Sequence, residues 1–150
     1  MTKYTEFQNI VDLLCWRAET HPNDLAFRYF SDGENESTQL TYAELHHKAC
    51  QVAVYLQSQQ LAQERILIFY PPGLDFISGF LGCLYAGAIP VPAYAPEPHR
   101  LAHTLQRLES IIQDAQSPAI LSNQEILNQA QSILKQSKHN QTHLHSVIFN

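Results

Sequence analysis

Apolar positions along this chain follow two rhythms. In the first third they recur at helical spacing, with Phe7, Ile10, Val11, Leu14, Cys15 and Ala18 forming one stripe. Thr5 and Gln8 have the spacing of a capping box at its start, and His21-Pro22 ends it, because the residue before a proline is pushed out of the helical region. Leu25 to Phe30, an Asp32-Gly33 turn signal and a short Thr38 to Leu40 segment predict a two-stranded hairpin on the domain's edge, with an acidic loop. A second capping box, Thr41 with Glu44, opens a helix carrying Tyr42, Leu45, Ala49, Val52, Ala53 and Leu56 on one face. A polar stretch from Gln59 to Glu64 closes it.

From there the rhythm changes. Ile66 to Tyr70 is an unbroken apolar run, the pattern of a strand covered on both faces, as in parallel sheets. The helix predicted from Leu74 to about Ala86 is apolar nearly all round. Its Gly79 and Gly82 would each weaken an exposed helix by roughly 1 kcal/mol relative to alanine, so they predict close packing. Gly87 is a natural C-terminal stop, and Ile89 to Val91 reads as a short strand parallel to the one before it, reached by a right-handed crossover. Pro92, Pro96 and Pro98 stiffen a surface segment that no central strand could accommodate. Leu101, Leu105, Leu108, Ile111, Ile112 and Ala115 are in phase for a third amphipathic helix. Ala119 to Leu121 gives a brief strand, and Ser122 or Asn123 caps a helix bearing Ile126, Leu127, Ala130, Ile133 and Leu134. Val147 to Phe149 gives the last strand.

These elements define an α/β chain: a partial parallel sheet with flanking helices, plus an N-terminal helix and an edge hairpin. The alternation stops mid-repeat at Asn150, which predicts the opening piece of something larger. An open last strand and uncovered apolar faces predict marginal stability and a tendency to aggregate when the piece stands alone.

Composition narrows the function classes. At 150 residues the chain has the length of one domain. Its charged fraction is 15 %, below the ~25 % usual for soluble domains. The net charge is -5 and no Lys/Arg cluster could neutralise successive phosphates, which argues against nucleic-acid binding. Cys15, Cys50 and Cys83 are an odd, widely spaced set, each on the apolar side of a predicted helix, and fit a reducing, cytoplasmic setting. No secretory signal opens the chain. Between residues 66 and 95 Asp75 is the one charged residue, yet Pro71, Pro72 and Gly73 interrupt the stretch and leave too short a helix for a membrane span.

LTYAEL at Leu40 to Leu45 resembles the first core motif of adenylate-forming enzymes, and LYAGAIPVP at Leu84 to Pro92 resembles their second. Within that superfamily the DGE turn at Asp32 to Glu34, YPPGLDF at Tyr70 to Phe76 and VPAYAPEP at Val91 to Pro98 look most like fatty acyl-AMP ligases. Fatty acyl-CoA synthetases and peptide-synthetase adenylation domains share the two general motifs, and the Pro-rich run after Val91 favours the acyl-AMP group. The resemblance covers about Phe7 to Phe149. It implies that residues 1–150 are an incomplete N-terminal subdomain of the large domain of such a ligase. The whole enzyme would use ATP and Mg2+ to convert a fatty acid to its acyl-adenylate and pass the acyl group to an acyl carrier protein, within lipid or polyketide biosynthesis. In that family the phosphate loop, the acidic ribose-binding motif, the hinge and the small C-terminal domain with its lysine come later in the chain. No glycine follows Gly87 here. No catalytic, cofactor-binding or metal-binding residue is therefore assigned, and the 150 residues alone are expected to form no adenylate.

Several residues admit a sharper and a plainer reading. Pro71-Pro72-Gly73 stands where an α/β protein often holds an anion. Two prolines remove two N-H donors and no GxGxxG is present, which favours a tight turn in which Gly73→Val harms folding more than nucleotide binding. His99 and His103, with Glu97 or His139, could share a metal, but no HExxH or Cys pair accompanies them, and exposed polar histidines are the plainer reading. His139, His143 and His145 read as a solvated loop. Asp75 could be a general base, but in the first turn of a helix it reads as a capping carboxylate. Tyr70, Phe76 and Phe80 could line an acyl tunnel, although aromatics at these spacings are more often core. The competing function class is a stand-alone interaction module without chemistry, or a truncated reading frame.

Overall fold

Four consecutive residues, Ile66 to Phe69, have no exposure to solvent, so the strand that carries them needs a layer on each side. The computed structural model describes residues 7–93, 107, 110–126, 128 and 145–148, and in it this strand, β3 (Arg65–Phe69), lies inside a four-stranded parallel sheet. Its neighbours are β4 (Ile89–Pro92) and β5 (Ala119–Ser122), with β6 (His145–Ile148) beyond β5, giving the order β4-β3-β5-β6. Upstream come α1 (Ile10–Thr20), β1 (Leu25–Phe30), β2 (Glu36–Thr41) and α2 (Tyr42–Ser58), and α3 (Leu74–Ala86) joins β3 to β4. Residues 110–115 are helical and precede β5.

Alternation along β3 sorts the core. Ile66, Ile68 and Tyr70 pack with Val52, Ala53 and Leu56 of α2 and Cys83 and Ala86 of α3. Leu67 and Phe69 face the other way, against Ile112 and Ala115. A third cluster, Leu14, Leu40, Leu45, Ala49 and Leu81, ties α1 and the hairpin to α2 and α3. The α2–α3 crossing depends on Gly82, where an added Cβ would lie 2.4 Å from Cβ of Val52. At Gly79 it would lie 2.9 Å from the Tyr70 ring. Both glycines meet the close packing their sequence context predicts. Gly87 ends α3 in the left-handed region at φ +74°.

Two hydroxyls stitch the strands. The Ser117 hydroxyl accepts from Leu67 N–H at 3.2 Å and lies 2.5 Å from Arg65 O and 2.8 Å from Ala119 O. Ser122, fully buried, donates to Phe69 O across the β3–β5 seam. On β4 the inward amides pair with the β3 side, Ile89 N–H to Glu64 O at 2.9 Å and Ala93 N–H to Ile68 O at 3.1 Å. Pro90 and Pro92 alternate with them.

Local signals held in part. The Thr41–Glu44 capping box is present: Thr41 N–H donates to Glu44 Oε2 at 2.8 Å, and Glu44 N–H to Thr41 Oγ1 at 3.3 Å. These bonds, the Thr41 amide first, hold the Glu44 carboxyl below its usual range. In the hairpin turn Asp32 accepts from Asn35 Nδ2 at 2.8 Å and from the amides of Asn35 and Glu34, which lowers its carboxyl to about 2.

The first helix starts later than its sequence predicts. Asn9 is the N-cap, its Oδ1 accepting from Asp12 N–H at 2.9 Å, and Gln8 N–H donates to Asp12 Oδ2 at 3.3 Å. Asn-x-x-Asp supplies both arms of a cap and a carboxylate in the first turn, so Gln8 lies outside the helix, and Thr5 lies outside the described residues. Phe7, also outside the helix, meets the Trp16 ring with centroids 5.5 Å apart. Strand β2 runs from Glu36 to Thr41 rather than Thr38 to Leu40, and Pro92 belongs to β4 rather than to the segment after it, because an outer strand accommodates proline. At Gly73 the backbone is extended and an added Cβ would meet nothing within 4 Å. The expected intolerance of that position is therefore not supported.

Four outcomes test this packing. Gly82→Ala should lower the urea-unfolding free energy by about 1–3 kcal/mol, with part of the loss restored when Val52→Ala is added. Ser122→Ala should cost about 1–3 kcal/mol by stranding a buried carbonyl. Gly73→Val should stay within about 1 kcal/mol of wild type. Because the folded Glu44 carboxyl sits below its unfolded value, its contribution is present above the unfolded pKa and is lost as pH falls through the folded one. Glu44→Gln should flatten that acid limb in melts run across it.

Candidate functional site

The helices that follow β3 and β5 lie on opposite faces of the sheet: α3 packs on the Ile66/Ile68 face, and Ile126, in the helical residues after β5, packs on the Leu67/Phe69 face. Where neighbouring parallel strands send their connections to opposite sides, a crevice opens beyond their carboxyl ends, and open α/β sheets bind ligands there. In this chain the crevice lies between the ends of β3 and β5. Tyr70 to Gly73 form one bank and Asn123 the other, with Pro92 and Ala93 following at the end of β4.

The polar groups at these ends are already engaged. Ser122 is committed to Phe69 O, and Asn123 Oδ1 caps the next helical turn by accepting from Ile126 N–H at 2.9 Å. The Tyr70 phenol is buried against Gly79, and burial, followed by the Asp75 and Cys83 charges, pushes its pKa far up, so it stays protonated at neutral pH. Pro71 and Pro72 contribute no N–H. Lys48, which reaches the first turn of α3, pairs with Asp75 at 3.8 Å. These residues line the strand ends, and among these described residues the polar groups are engaged and present no cluster of amide donors for a triphosphate.

The readings weighed from sequence meet different outcomes among the described residues. Pro71-Pro72-Gly73 link β3 to α3, with Gly73 extended as the residue before the helix. Asp75 occupies the first helical turn, exposed and ion-paired, in place of the hydrogen-bonded cap expected of it. Tyr70 belongs to the core, while Phe76 and Phe80, stacked with centroids 6.2 Å apart, pack against it half-buried. Glu97, His99, His103, His139 and His143 lie outside the described residues. His145 opens β6 instead of lying in a loop, since its neighbours Ser146 to Ile148 complete a ladder with β5. Among the described residues no group of three or more His, Cys, Asp or Glu could hold a metal ion, and no helix is long and apolar enough to cross a membrane. The cross-strand role of Ser122 escaped the sequence, where its place before a helical pattern signalled a cap.

Comparison with known proteins agrees with this architecture. The chain is 45 % identical over 118 residues to the medium-chain-fatty-acid–[acyl-carrier-protein] ligase JamA of Moorena producens, an alignment covering 79 % of this chain and 20 % of that ligase. It is 35 % identical over 122 residues to Disco-interacting protein 2 of Drosophila melanogaster, covering 80 % of this chain and 7 % of that protein. Among solved structures it matches the fatty acid AMP ligase of Legionella pneumophila with a TM-score of 0.75 and 28 % identity, over 99 % of this chain and 24 % of the ligase. The chain thus spans a quarter or less of these proteins. The family model described as AMP-binding enzyme matches residues 14–149, and the chain belongs to that family of adenylate-forming, AMP-binding enzymes.

Proposed function

We propose that residues 1–150 are the N-terminal subdomain of the large domain of a fatty acyl-AMP ligase. The complete enzyme would join a fatty acid to AMP and deliver the acyl group to an acyl carrier protein in the cytoplasm. The observation that carries this is the match of 99 % of the chain to a fatty acid AMP ligase at a TM-score of 0.75. The 45 % identity to a ligase whose name includes the carrier protein supports the acceptor.

ATP and Mg2+ are implied for the complete enzyme. The groups at the strand ends do not fit them: the hydroxyl and carboxamide are spent, two of the loop's amides are proline nitrogens, and Lys48 is paired. No step through the nucleotide runs on these residues alone, and this subdomain contributes a scaffold and one wall of the site. A second reading is a stand-alone interaction module without chemistry; the likeness to Disco-interacting protein 2, of which the chain covers 7 %, supports an interaction role for this fold and not its standing alone.

The native polypeptide carrying this sequence should migrate well above the 17.1 kDa of the 150 residues. It should catalyse ATP–pyrophosphate exchange that depends on added fatty acid, while the 150-residue chain gives none. Exchange driven by amino acids and not fatty acids would overturn the substrate class. A native band at 17.1 kDa would overturn the ligase reading in favour of the interaction module.

A further inference from the structure

Four half-buried side chains form a line where α1, α2 and α3 meet, apart from the strand-end crevice. The Cys15 thiol donates to the Tyr85 hydroxyl, with Sγ and Oη 3.7 Å apart. Tyr85 Oη lies 3.1 Å from Nδ1 of His46, and Nε2 of that ring lies 3.5 Å from Cys50 Sγ. His46 and Cys50 are one turn apart on α2 and so share a face. The His46 and Tyr85 rings meet edge to face with centroids 5.6 Å apart.

We propose that His46 Nε2 and Cys50 Sγ form a two-point site for a thiophilic divalent cation of the zinc class, with Tyr85 as the residue that orients the imidazole. A tetrahedral ion bound at the usual Zn–N and Zn–S lengths places its nitrogen and sulfur ligands about 3.5 Å apart. The pair already has that separation, so the spacing on α2 matches what the ion requires. The far ring nitrogen rests on a hydroxyl, the outer contact that fixes ring orientation in metal-ligating histidines. In the tautomer with Nδ1–H donating to Tyr85 Oη, Nε2 carries the lone pair that would take the ion.

The exchange balances as one proton for one ion. In the free site the Cys50 thiol holds its proton beside His46 Nε2. On binding, the Sγ–H bond breaks, the Sγ–metal bond forms and the proton passes to solvent. Among the described residues no third His, Cys, Asp or Glu joins the pair, so water fills the remaining positions and the ion is exchangeable.

Co2+ serves as the spectroscopic probe, added to the native polypeptide that carries these residues. A thiolate-to-cobalt charge-transfer band should saturate at one ion per chain, disappear on adding Zn2+, and strengthen in affinity about tenfold per pH unit below the thiol pKa. Cys50→Ser and His46→Gln should each weaken binding by at least about tenfold, and Tyr85→Phe by about tenfold. Cys83→Ala should leave it unchanged. Far-UV circular dichroism matching wild type qualifies each variant. Absence of a thiolate band in the folded wild type, or a band that survives Cys50→Ser or His46→Gln, would overturn the site.

Discussion

Ile66 to Phe69 alternate between two helical layers, and a strand buried on both faces can be satisfied only by a sheet covered on both sides. Much of the described architecture follows from that demand. The α2–α3 pair must lie flat against one face, which requires a glycine at position 82 so that α3 can approach Val52. The helical residues before and after β5 must take the other face. Once connections leave β3 and β5 in opposite directions, the crevice at their carboxyl ends is a geometric result and needs no residue of its own to create it.

This explains which features were legible in the sequence. Signals confined to one element, such as the apolar run of β3, the Thr41–Glu44 box, the αL stop at Gly87 and the small residues of α3, each carry their physics within a few positions. Signals with two solutions were misread where a neighbour competed. Thr5 with Gln8 and Asn9 with Asp12 both spell a cap, and the second pair won because it also satisfies the amide of Gln8. Pro92 suits either a loop or an outer strand, and sequence does not say which strands lie outside. What could not be read is anything assembled across the fold. Ser122 turns from the next helix to reach Phe69, and the line from Cys15 through Tyr85 and His46 to Cys50 joins three helices of which only the His46–Cys50 spacing is local.

The candidate site shows the same division. Family membership was legible because motifs spanning residues 40–45 and 84–92 are structural: the first contains a helix cap and the second a helix end running into β4. Such motifs persist wherever the scaffold persists, which accounts for likeness both to a ligase and to a protein named for an interaction. Chemistry is a separate layer. At the strand ends the side chains serve packing and capping, so the described residues mark where a ligand would lie without saying what happens to it.

Pro90 and Pro92 carry one further consequence. The amides of Ile89 and Ala93 turn inward to the β3 side, so by the two-residue period of a strand the two proline nitrogens fall on the opposite margin of β4. Among the described residues that margin lacks two of the donors a further strand would use and keeps only its carbonyl acceptors, so a strand adding beside β4 finds a weaker ladder than the one β4 makes with β3.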